Sequence, residues 1–321
     1  LVMKIANVAA RRLEKVPKQT VWTEFTPMAQ QHKAVNLGQG FPTFTPPGFV
    51  LENAQKTLMG PTGEADSVNP FDHQYCRSMG HMELVSVLQK RYTKALEREI
   101  TDGEIVVTNG VTQGLNLCIQ AFVGEGDEVV IIEPYFDLYC NDVHMANGEC
   151  KLVKMHVEGP TANDWKLKEA DLRAAITPKT KLLMLNTPQN VPGKVWTREE
   201  MEMVADVVRG TDIIVISDEV YMSLVYDGLE HVPFGSLPDM YERTVTLCSA
   251  GKTFSCTGWK IGWAVAPPHL ILPIQQKQSH QTFSIATPLQ IAVGKSLAEA
   301  ETNGYYAELV DKYTAKRKLL C

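Results

Sequence analysis

Short apolar runs alternate along the chain with segments of helical periodicity. The apolar runs, rich in valine, isoleucine and leucine, lie at residues 104–107, 128–133, 151–157, 181–186, 212–217, 243–249 and 261–266. Between them, apolar residues recur three and four positions apart at 113–122, 167–176 and 198–208. Strands that are apolar on both faces and separated by helices are typical of a parallel sheet covered on both sides. We therefore predict an α/β fold whose mostly parallel seven-stranded sheet is covered by helices.

Composition and charge narrow the class of protein. The net charge of −6 argues against a nucleic-acid partner, which needs clustered lysine and arginine. The longest apolar runs, such as 129–132, are far shorter than the ~18 residues of a membrane span. Seven cysteines without metal-ligand spacing indicate neither a metal site nor a disulfide framework. We expect a cytoplasmic protein, with a mitochondrial address as the alternative left open by the basic N-terminus, although Glu14 counts against it.

Ligands of open α/β sheets bind at the carboxyl ends of the strands. Polar or small residues follow five of the predicted strands, in the sequences TNGVTQG (108–114), EPYFD (133–137), NTPQN (186–190), DEVY (218–221) and SAGK (249–252). We therefore expect these five strand ends to form one crevice.

Lys252, in the last of these sequences, has three interpretations. A phosphate-binding loop requires a glycine five residues before the Gly-Lys pair, and that position is Thr246. A surface lysine in a loop explains Lys252 alone. Asp218, however, closes an apolar strand, and a buried carboxylate needs a cationic partner. A helix N-cap would explain Asp218 but not Tyr221 and Asn190 as well. A protonated pyridine nitrogen would supply the cation, and enzymes that use pyridoxal 5′-phosphate (PLP) combine a lysine with such an acid.

Seven stretches occur in one order over nearly the whole chain: NLGQGFP (36–42), QYCRSMGH (74–81), TNGVTQGL (108–115), EPYFDLY (133–139), NTPQN (186–190), SDEVY (217–221) and SAGKTFSCTGWKIGW (249–263). Together they resemble the fold-type I, class I aminotransferases. The similarity is greatest to the group of kynurenine aminotransferase, glutamine transaminase K and cysteine-S-conjugate β-lyase. The resemblance implies PLP as the cofactor and the PLP-binding large domain of that fold.

The resemblance also assigns the groups that contact the cofactor ring. Lys252 would bind PLP as a Schiff base and then serve as the acid and base of proton transfer. Asp218 would keep the pyridine nitrogen protonated. Tyr221 and Asn190 would hydrogen-bond the phenolic oxygen. Phe136 would stack on the ring, although without the resemblance it is equally an ordinary core aromatic.

The phosphate end of PLP is assigned in the same way. Backbone N–H groups of Gly110, Val111 and Thr112 would bind the phosphate at a helix N-terminus, where unpaired amides and the helix dipole favour an anion. Ser249 would add a hydroxyl donor and Lys260 a positive charge.

The resemblance further implies a homodimer. Tyr75 is similar to the tyrosine that reaches the phosphate from the neighbouring subunit. The substrate pocket, which favours aromatic or bulky amino acids, would be formed by Trp22, Gly40 and Asn190 of one subunit. The partner subunit would contribute Phe283. Ordinary packing would explain Trp22, Gly40 and Phe283 equally well.

Two features depart from the family pattern. Val191 follows Asn190, where the family has a proline in a cis peptide. Members of the family also continue beyond the position equivalent to the end of this chain, and they complete a small domain there that supplies an arginine for the substrate carboxylate. We therefore expect an incomplete small domain: an N-terminal arm and part of the small domain at 1–50, the large PLP-binding domain at 51–300, and a linking helix at 301–321 toward a small domain that is absent.

Three functions follow from these observations. The leading one is transfer of an amino group from a large aromatic or sulfur-containing amino acid, of the kynurenine or glutamine type, to a 2-oxo acid. The second is β-elimination from cysteine S-conjugates, which begins with the same loss of the Cα proton. The third is a truncated homologue that binds PLP with little or no turnover.

Overall fold

The structure, a computed structural model that describes residues 10–38 and 40–320, contains one large sheet and one small one. The strands are β1 (Ile105–Asn109), β2 (Glu128–Glu133), β3 (Glu149–Lys154), β4 (His156–Val157), β5 (Trp165–Lys166), β6 (Thr180–Asn186), β7 (Ile214–Asp218), β8 (Thr244–Ser249) and β9 (Ile261–Val265). The helices are α1 (Val21–Gln31), α2 (Gly48–Met59), α3 (Met82–Ala95), α4 (Gly110–Phe122), α5 (Leu138–Met145), α6 (Glu169–Ala175), α7 (Arg198–Val208), α8 (Ala250–Thr253), α9 (Pro268–Gln281), α10 (Thr287–Ala300) and α11 (Tyr305–Leu320).

The large sheet confirms the predicted fold class. Its seven strands lie in the order β1-β9-β8-β7-β6-β2-β3. The pairs from β8 to β3 are parallel, and β9 runs antiparallel to both of its neighbours. Each of the seven predicted apolar runs forms one of these strands. Because β6, β7 and β8 are parallel, their carboxyl ends lie at the same edge of the sheet.

One predicted strand is divided in two. The apolar run at 151–157 leaves the large sheet after Lys154, and His156 and Val157 pair instead with β5 in a separate antiparallel ribbon. The reason lies in the neighbouring strand: Lys154 is opposite Glu133, the last residue of β2, and the next residue is Pro134. Proline has no backbone N–H to continue the ladder.

Helices cover both faces of the sheet, as the apolar character of the strands requires. On one face, α4, α5 and α9 bury the even-numbered side of β1, including Val106, in a core with Leu115, Val143 and Ile271. On the other face, α2, α3 and α10 pack over the β1 end, where Ile105 is buried. The far end of that face is covered by α6 and α7.

The helix α7 shows how local sequence defines an element. Thr197 accepts a hydrogen bond from the backbone N–H of Glu200, and the Glu200 carboxylate accepts one from the backbone N–H of Thr197. This capping box satisfies two N–H groups that the first helical turn leaves free. Beyond it, Met201, Val204 and Val208 recur on one face and are buried, as the periodicity of 198–208 predicts.

The first hundred residues contain helices that the pattern of apolar positions did not indicate. The helices α2 and α3 both pack against α10, and buried residues of α3 such as Leu84 and Leu88 belong to the same core as β1 and β9. The division of the chain at residues 50 and 300 stays a prediction.

Candidate active site

A cavity of about 600 Å³ opens at the carboxyl ends of the parallel strands. The residues that close β6, β7 and β8, namely Asn186, Asp218 and Ser249, form part of its lining. The structure brings all but two of the predicted site residues to this cavity: Trp22, Gly40, Gly110, Val111, Thr112, Phe136, Asn190, Asp218, Tyr221, Ser249, Lys252 and Lys260. The predicted convergence of strand ends on one crevice is therefore present in the fold.

Asp218 lies at the floor of the cavity and is only 4% exposed. Its Oδ2 accepts a hydrogen bond of 2.8 Å from the Tyr139 hydroxyl, and its Oδ1 accepts one of 3.2 Å from the backbone N–H of Val220. Burial raises the pKa of the Asp218 carboxyl to about 6, although the bond from Tyr139 opposes that shift. A buried carboxylate with neutral donors but no ion pair among the described residues suits a cationic ligand group.

Lys252 lies in the short helix α8, directly after β8. Its Nζ donates a hydrogen bond to the backbone carbonyl of Gly40 and lies 5.4 Å from the centre of the Tyr221 ring. Burial lowers the pKa of the Lys252 amine, and the charge of Asp218 partly restores it. A lowered pKa increases the fraction of neutral amine, which is the nucleophilic and basic form.

The start of α4 also lines the cavity. Gly110 has a φ of +73°, which disfavours any other residue. A Cβ on Gly262 of β9 would lie 2.7 Å from the Gly110 carbonyl carbon and 2.9 Å from the Val111 nitrogen. The close approach of β9 therefore requires glycine. The Lys260 amine is also close, since a Cβ on Gly110 would lie 3.1 Å from its Nζ. Unpaired amides at a helix N-terminus beside a lysine form an anion-binding arrangement.

Hydrogen bonds connect the loop after β6 to the floor. The backbone N–H of Asn190 donates to Asn186 Oδ1 at 2.6 Å, and Asn186 Nδ2 donates to the Asp218 carbonyl at 2.8 Å. The cis peptides among the described residues are Glu133-Pro134 and Thr187-Pro188, so the bond after Asn190 is not one of them. The position of Asn190 is thus fixed by a side chain rather than by the proline that the family has next to it.

Two residues of the site were not singled out by sequence reasoning. Tyr139 holds the Asp218 carboxylate, and its ring lies edge-on to Phe136, with the ring centres 5.8 Å apart. Asn186 connects Asn190 with Asp218. Both lie within stretches that carry the resemblance, EPYFDLY and NTPQN, but their partners are distant in the sequence. The contact of Asn186 with Asp218 depends on the pairing of β6 with β7, and that of Tyr139 with Asp218 depends on the packing of α5.

Tyr75 and Phe283 do not line the cavity. They are 82% and 57% exposed, and their rings form an edge-on pair with centres 5.1 Å apart. Trp22 and Gly40, by contrast, line the side of the cavity that the N-terminal segment contributes, together with Val21. The two residues predicted to act across a subunit interface are therefore the two that lie outside the cavity.

Within the described residues, helices are too short or too polar to cross a membrane. The same part of the chain contains no cluster of three or more histidine, cysteine, aspartate or glutamate side chains placed to hold a metal ion.

The fold and the site define a class of PLP enzyme. Residues 32–321 match the family described as aminotransferase class I and II, and the chain belongs to this family, whose cofactor is PLP. The site residues fit PLP in three respects: a lysine amine, a buried carboxylate that forms no ion pair among the described residues, and a glycine-lined helix N-terminus beside a lysine.

Individual members of the family are similar to this chain in sequence and in structure. The chain is 43% identical over 314 residues to the kynurenine–oxoglutarate transaminase of Dictyostelium discoideum, with 94% of this chain and 70% of that protein aligned. It is 41% identical over 300 residues to kynurenine–oxoglutarate transaminase 3 of Homo sapiens, covering 92% of this chain and 64% of the human protein. N-succinyldiaminopimelate aminotransferase from Mycobacterium tuberculosis superposes with a TM-score of 0.88 at 32% identity, over 97% of this chain and 77% of that chain.

Proposed function

We propose that this protein transfers the amino group of kynurenine, or of another large aromatic or sulfur-containing amino acid, to a 2-oxo acid. The observation that carries the proposal is the joint placement of Lys252 and Asp218 in one cavity, in a chain 40–43% identical to kynurenine–oxoglutarate transaminases. The mycobacterial relative in structure acts on a different amino acid, so the fold alone does not select the substrate.

The residues at the floor would hold the ring of the cofactor. When bound, PLP supplies an aldehyde that holds amino groups and a protonated ring that withdraws electrons from Cα. Asp218 would keep the proton on the ring nitrogen, with Tyr139 fixing the orientation of the carboxylate. Tyr221 and Asn190 would donate hydrogen bonds to the phenolic oxygen, and Phe136 would cover one face of the ring.

The start of α4 would hold the phosphate. Amides of Gly110, Val111 and Thr112 point out of the first helical turn, and Lys260 adds a positive charge beside them. Ser249 closes β8 at the same cavity and would donate its hydroxyl. These contacts anchor the cofactor at the end away from the chemistry, so they support binding more than proton transfer.

Lys252 would move the proton. Its neutral Nζ can take a proton from the substrate Cα, because burial lowers the pKa of the amine. The bond from Nζ to the Gly40 carbonyl orients the amine toward the side of the cavity that Trp22 lines. A large planar substrate side chain suits that side, where Val21 and Leu37 add apolar surface.

The proposal includes a homodimer. Tyr75 and Phe283 are exposed aromatic residues that contact each other and lie outside the cavity of their own chain. An interface over them would bury the pair and present both residues to the second subunit. Sedimentation of the wild type and of Phe283→Asp tests this, since a charge at a buried interface should produce monomers.

The compartment is inferred from the cysteines. All six cysteines in the described residues are free thiols, which supports a reducing compartment and therefore the cytoplasm. The mitochondrial matrix remains the alternative, and localisation of a tagged protein in cells separates the two.

The proposed reaction is tested with purified protein, PLP, kynurenine and 2-oxoglutarate. We expect glutamate and the 2-oxo acid of kynurenine in equal amounts, and background rates in the Lys252→Ala variant. Phenylalanine, methionine, glutamine and a cysteine S-conjugate are compared under the same conditions. Glutamate formation no faster than in Lys252→Ala with every donor would contradict the proposal, and pyruvate with ammonia from the conjugate alone would identify elimination instead.

A further inference from the structure

Two cysteines meet behind one side of the cavity. Cys140 lies in α5 and Cys150 in β3, and both are partly buried. The Cys150 Sγ is 4.0 Å from the Cys140 carbonyl oxygen and 3.9 Å from Nε2 of His144. The Cys140 Sγ is 3.2 Å from the hydroxyl of Tyr135, which lines the cavity. A pair of thiols therefore lies one residue removed from the candidate active site.

The surroundings give the two thiols different reactivity. The hydrogen bond from Cys150 lowers the pKa of the Cys140 thiol to about 7; burial opposes the shift and the Tyr135 hydroxyl supports it. The same interaction raises the pKa of Cys150. Burial raises the pKa of Cys118, Cys248 and Cys256 as well. Cys140, whose sulfur also lies 3.2 Å from the Tyr135 hydroxyl, is thus placed as the attacking thiolate, and Cys150, beside the Cys140 backbone, as the thiol that reacts second.

We propose that Cys140 and Cys150 form a peroxide-reactive thiol pair whose oxidation to a disulfide weakens cofactor binding. The Cys140 thiolate attacks one oxygen of hydrogen peroxide, the O–O bond breaks, and hydroxide leaves, so that Cys140 becomes a sulfenic acid. The Cys150 thiol then attacks the Cys140 sulfur, and the S–S bond forms as water leaves. In total the two thiols lose two electrons and two protons, and one peroxide becomes two waters.

The link to the cavity runs through α5. Tyr139 is the neighbour of Cys140 in this helix and donates to Asp218, while Tyr135 contacts the Cys140 sulfur directly. The Tyr135 and Tyr139 rings are stacked with centres 6.5 Å apart. A disulfide fixes the two Cβ atoms about 4 Å apart and turns the Cys140 sulfur, now in contact with the Tyr135 hydroxyl, toward Cys150. That movement displaces the two tyrosines relative to the cofactor floor.

The first test is chemical and does not require catalysis. The full chain with PLP is treated with hydrogen peroxide at pH 7, and peptides are mapped without reduction. We expect a linked Cys140–Cys150 peptide, two hydrogen masses lighter than the sum of its parts. A pKa near 7 gives about 15 times the thiolate of an ordinary cysteine at pH 7, and the lower nucleophilicity of such a thiolate leaves a net advantage of roughly threefold in rate.

Matched serine variants separate the roles. In Cys150→Ser the sulfenic acid at Cys140 should accumulate and react with a 1,3-dione probe, whereas Cys140→Ser should give neither product. Cys76→Ser, which changes another partly buried cysteine, should behave as wild type. Circular dichroism of the reduced variants verifies that they fold. Faster oxidation of Cys76 than of Cys140, or a wild-type map without the linked peptide, overturns the thiol pair.

The second test measures PLP affinity by equilibrium dialysis. The oxidised wild type should bind PLP severalfold more weakly than the reduced form, and a dithiol reductant should restore the affinity. Cys150→Ser treated with peroxide in parallel should lose less of its affinity for PLP. The effect on affinity rests on the proposed function, because it requires that PLP binds in the cavity. Formation of the linked peptide does not require PLP, so the first test remains valid even if the proposed function is wrong. Equal affinity of the two redox states overturns the link to the cavity.

Discussion

The floor of the cavity and the N-terminal segment that covers one side of it are built in opposite ways. At the floor, Asn186, Asp218 and Ser249 are buried and close three neighbouring strands of the sheet. In the segment, none of the residues 10–38 and 40–49 is buried, and Val35 and Leu37 are 85% and 75% exposed. One contact from the segment to the floor is the bond between the Gly40 carbonyl and Lys252.

This difference separates two tasks. Groups that must keep an orientation while charge develops gain from a rigid, hydrogen-bonded floor. Groups that only enclose a substrate side chain can lie on a segment with few buried contacts, where opening requires little free energy. We therefore expect changes at the floor to lower kcat and changes in the segment to raise KM. The predictions below can break or sharpen that comparison.

The largest expected effect is at Lys252. Lys252→Ala removes the amine that moves the proton, and we expect kcat to fall by about 10³-fold or more, given what positioned acid and base groups contribute. Borohydride treatment of the wild type with PLP, followed by peptide mapping, should place the pyridoxyl group on Lys252. The control is Lys179→Ala, which removes an exposed lysine outside the cavity and should leave kcat unchanged. A label on Lys260 instead would refute the assignment.

Asp218→Asn should lower kcat by roughly 10²- to 10³-fold, the usual effect of removing one charge-stabilising group. The shape of the side chain is retained, and Tyr139 can still donate to the amide oxygen. Asp142→Asn is the control, because Asp142 is also buried with its pKa raised to about 6 but does not line the cavity. Equal kcat values in the two variants would show that the floor needs no carboxylate.

Asp218→Asn should also change the stability of the protein. The folded pKa of Asp218 is raised to about 6, so the folded state holds the proton more tightly than the unfolded state does. The contribution of this group to stability is present at low pH and is lost as pH rises through about 6. Without cofactor, Asp218→Asn should therefore be more stable than wild type at pH 7.5, by up to about 3 kcal/mol. Urea unfolding at pH 7.5 and pH 4 measures the difference, which should shrink at the lower pH.

Gly262→Ala tests the start of α4. The new Cβ would meet backbone atoms of Gly110 and Val111 that cannot move without displacing the amides. An overpacking cost of about 1–3 kcal/mol corresponds to roughly 5- to 150-fold in PLP affinity. Gly258→Ala is matched to it, because a Cβ there meets nothing within 4 Å. Unchanged PLP affinity in Gly262→Ala would place the phosphate elsewhere.

Tyr139→Phe should shift the pH profile of the reaction. The hydrogen bond from Tyr139 lowers the pKa of Asp218, so its removal raises that pKa above about 6. The acidic limb of kcat against pH should move up by about one unit, which reduces the rate at pH 6 roughly fivefold and hardly changes it at pH 8. Tyr92→Phe, a buried tyrosine bonded to Trp263, should lose stability without a shift of the profile.

The smallest effect on kcat is expected in the N-terminal segment. Trp22→Ala removes an indole from the side of the cavity, so the KM for kynurenine should rise about 5- to 15-fold while kcat stays within a factor of about two. Phe25→Ala on the same helix is the control, since Phe25 is exposed and does not line this cavity. A fall in kcat with unchanged KM in Trp22→Ala would contradict the division of tasks.

The sequence was a good guide to the sheet and a partial guide to the site. Apolar runs such as 128–133 and 181–186 are strands because strands that are apolar on both faces are stable only between two layers of helices. The end of β3 was predicted wrongly because it depends on Pro134, which directly follows the neighbouring strand β2. The helices α2 and α3 were not indicated, since the turns around them dominate the composition of the first hundred residues.

The sequence by itself determined which chemistry the molecule can hold. A lysine, a carboxylate and a helix start each follow a strand, and parallel strands bring such ends together whatever fills the rest of the chain. The tertiary structure alone decided which groups serve them. Tyr139 reaches Asp218 across 79 positions, Gly262 meets Gly110, and Cys140 meets Cys150 only because α5 packs beside β3. Contacts between elements depend on register and packing, which no local pattern encodes.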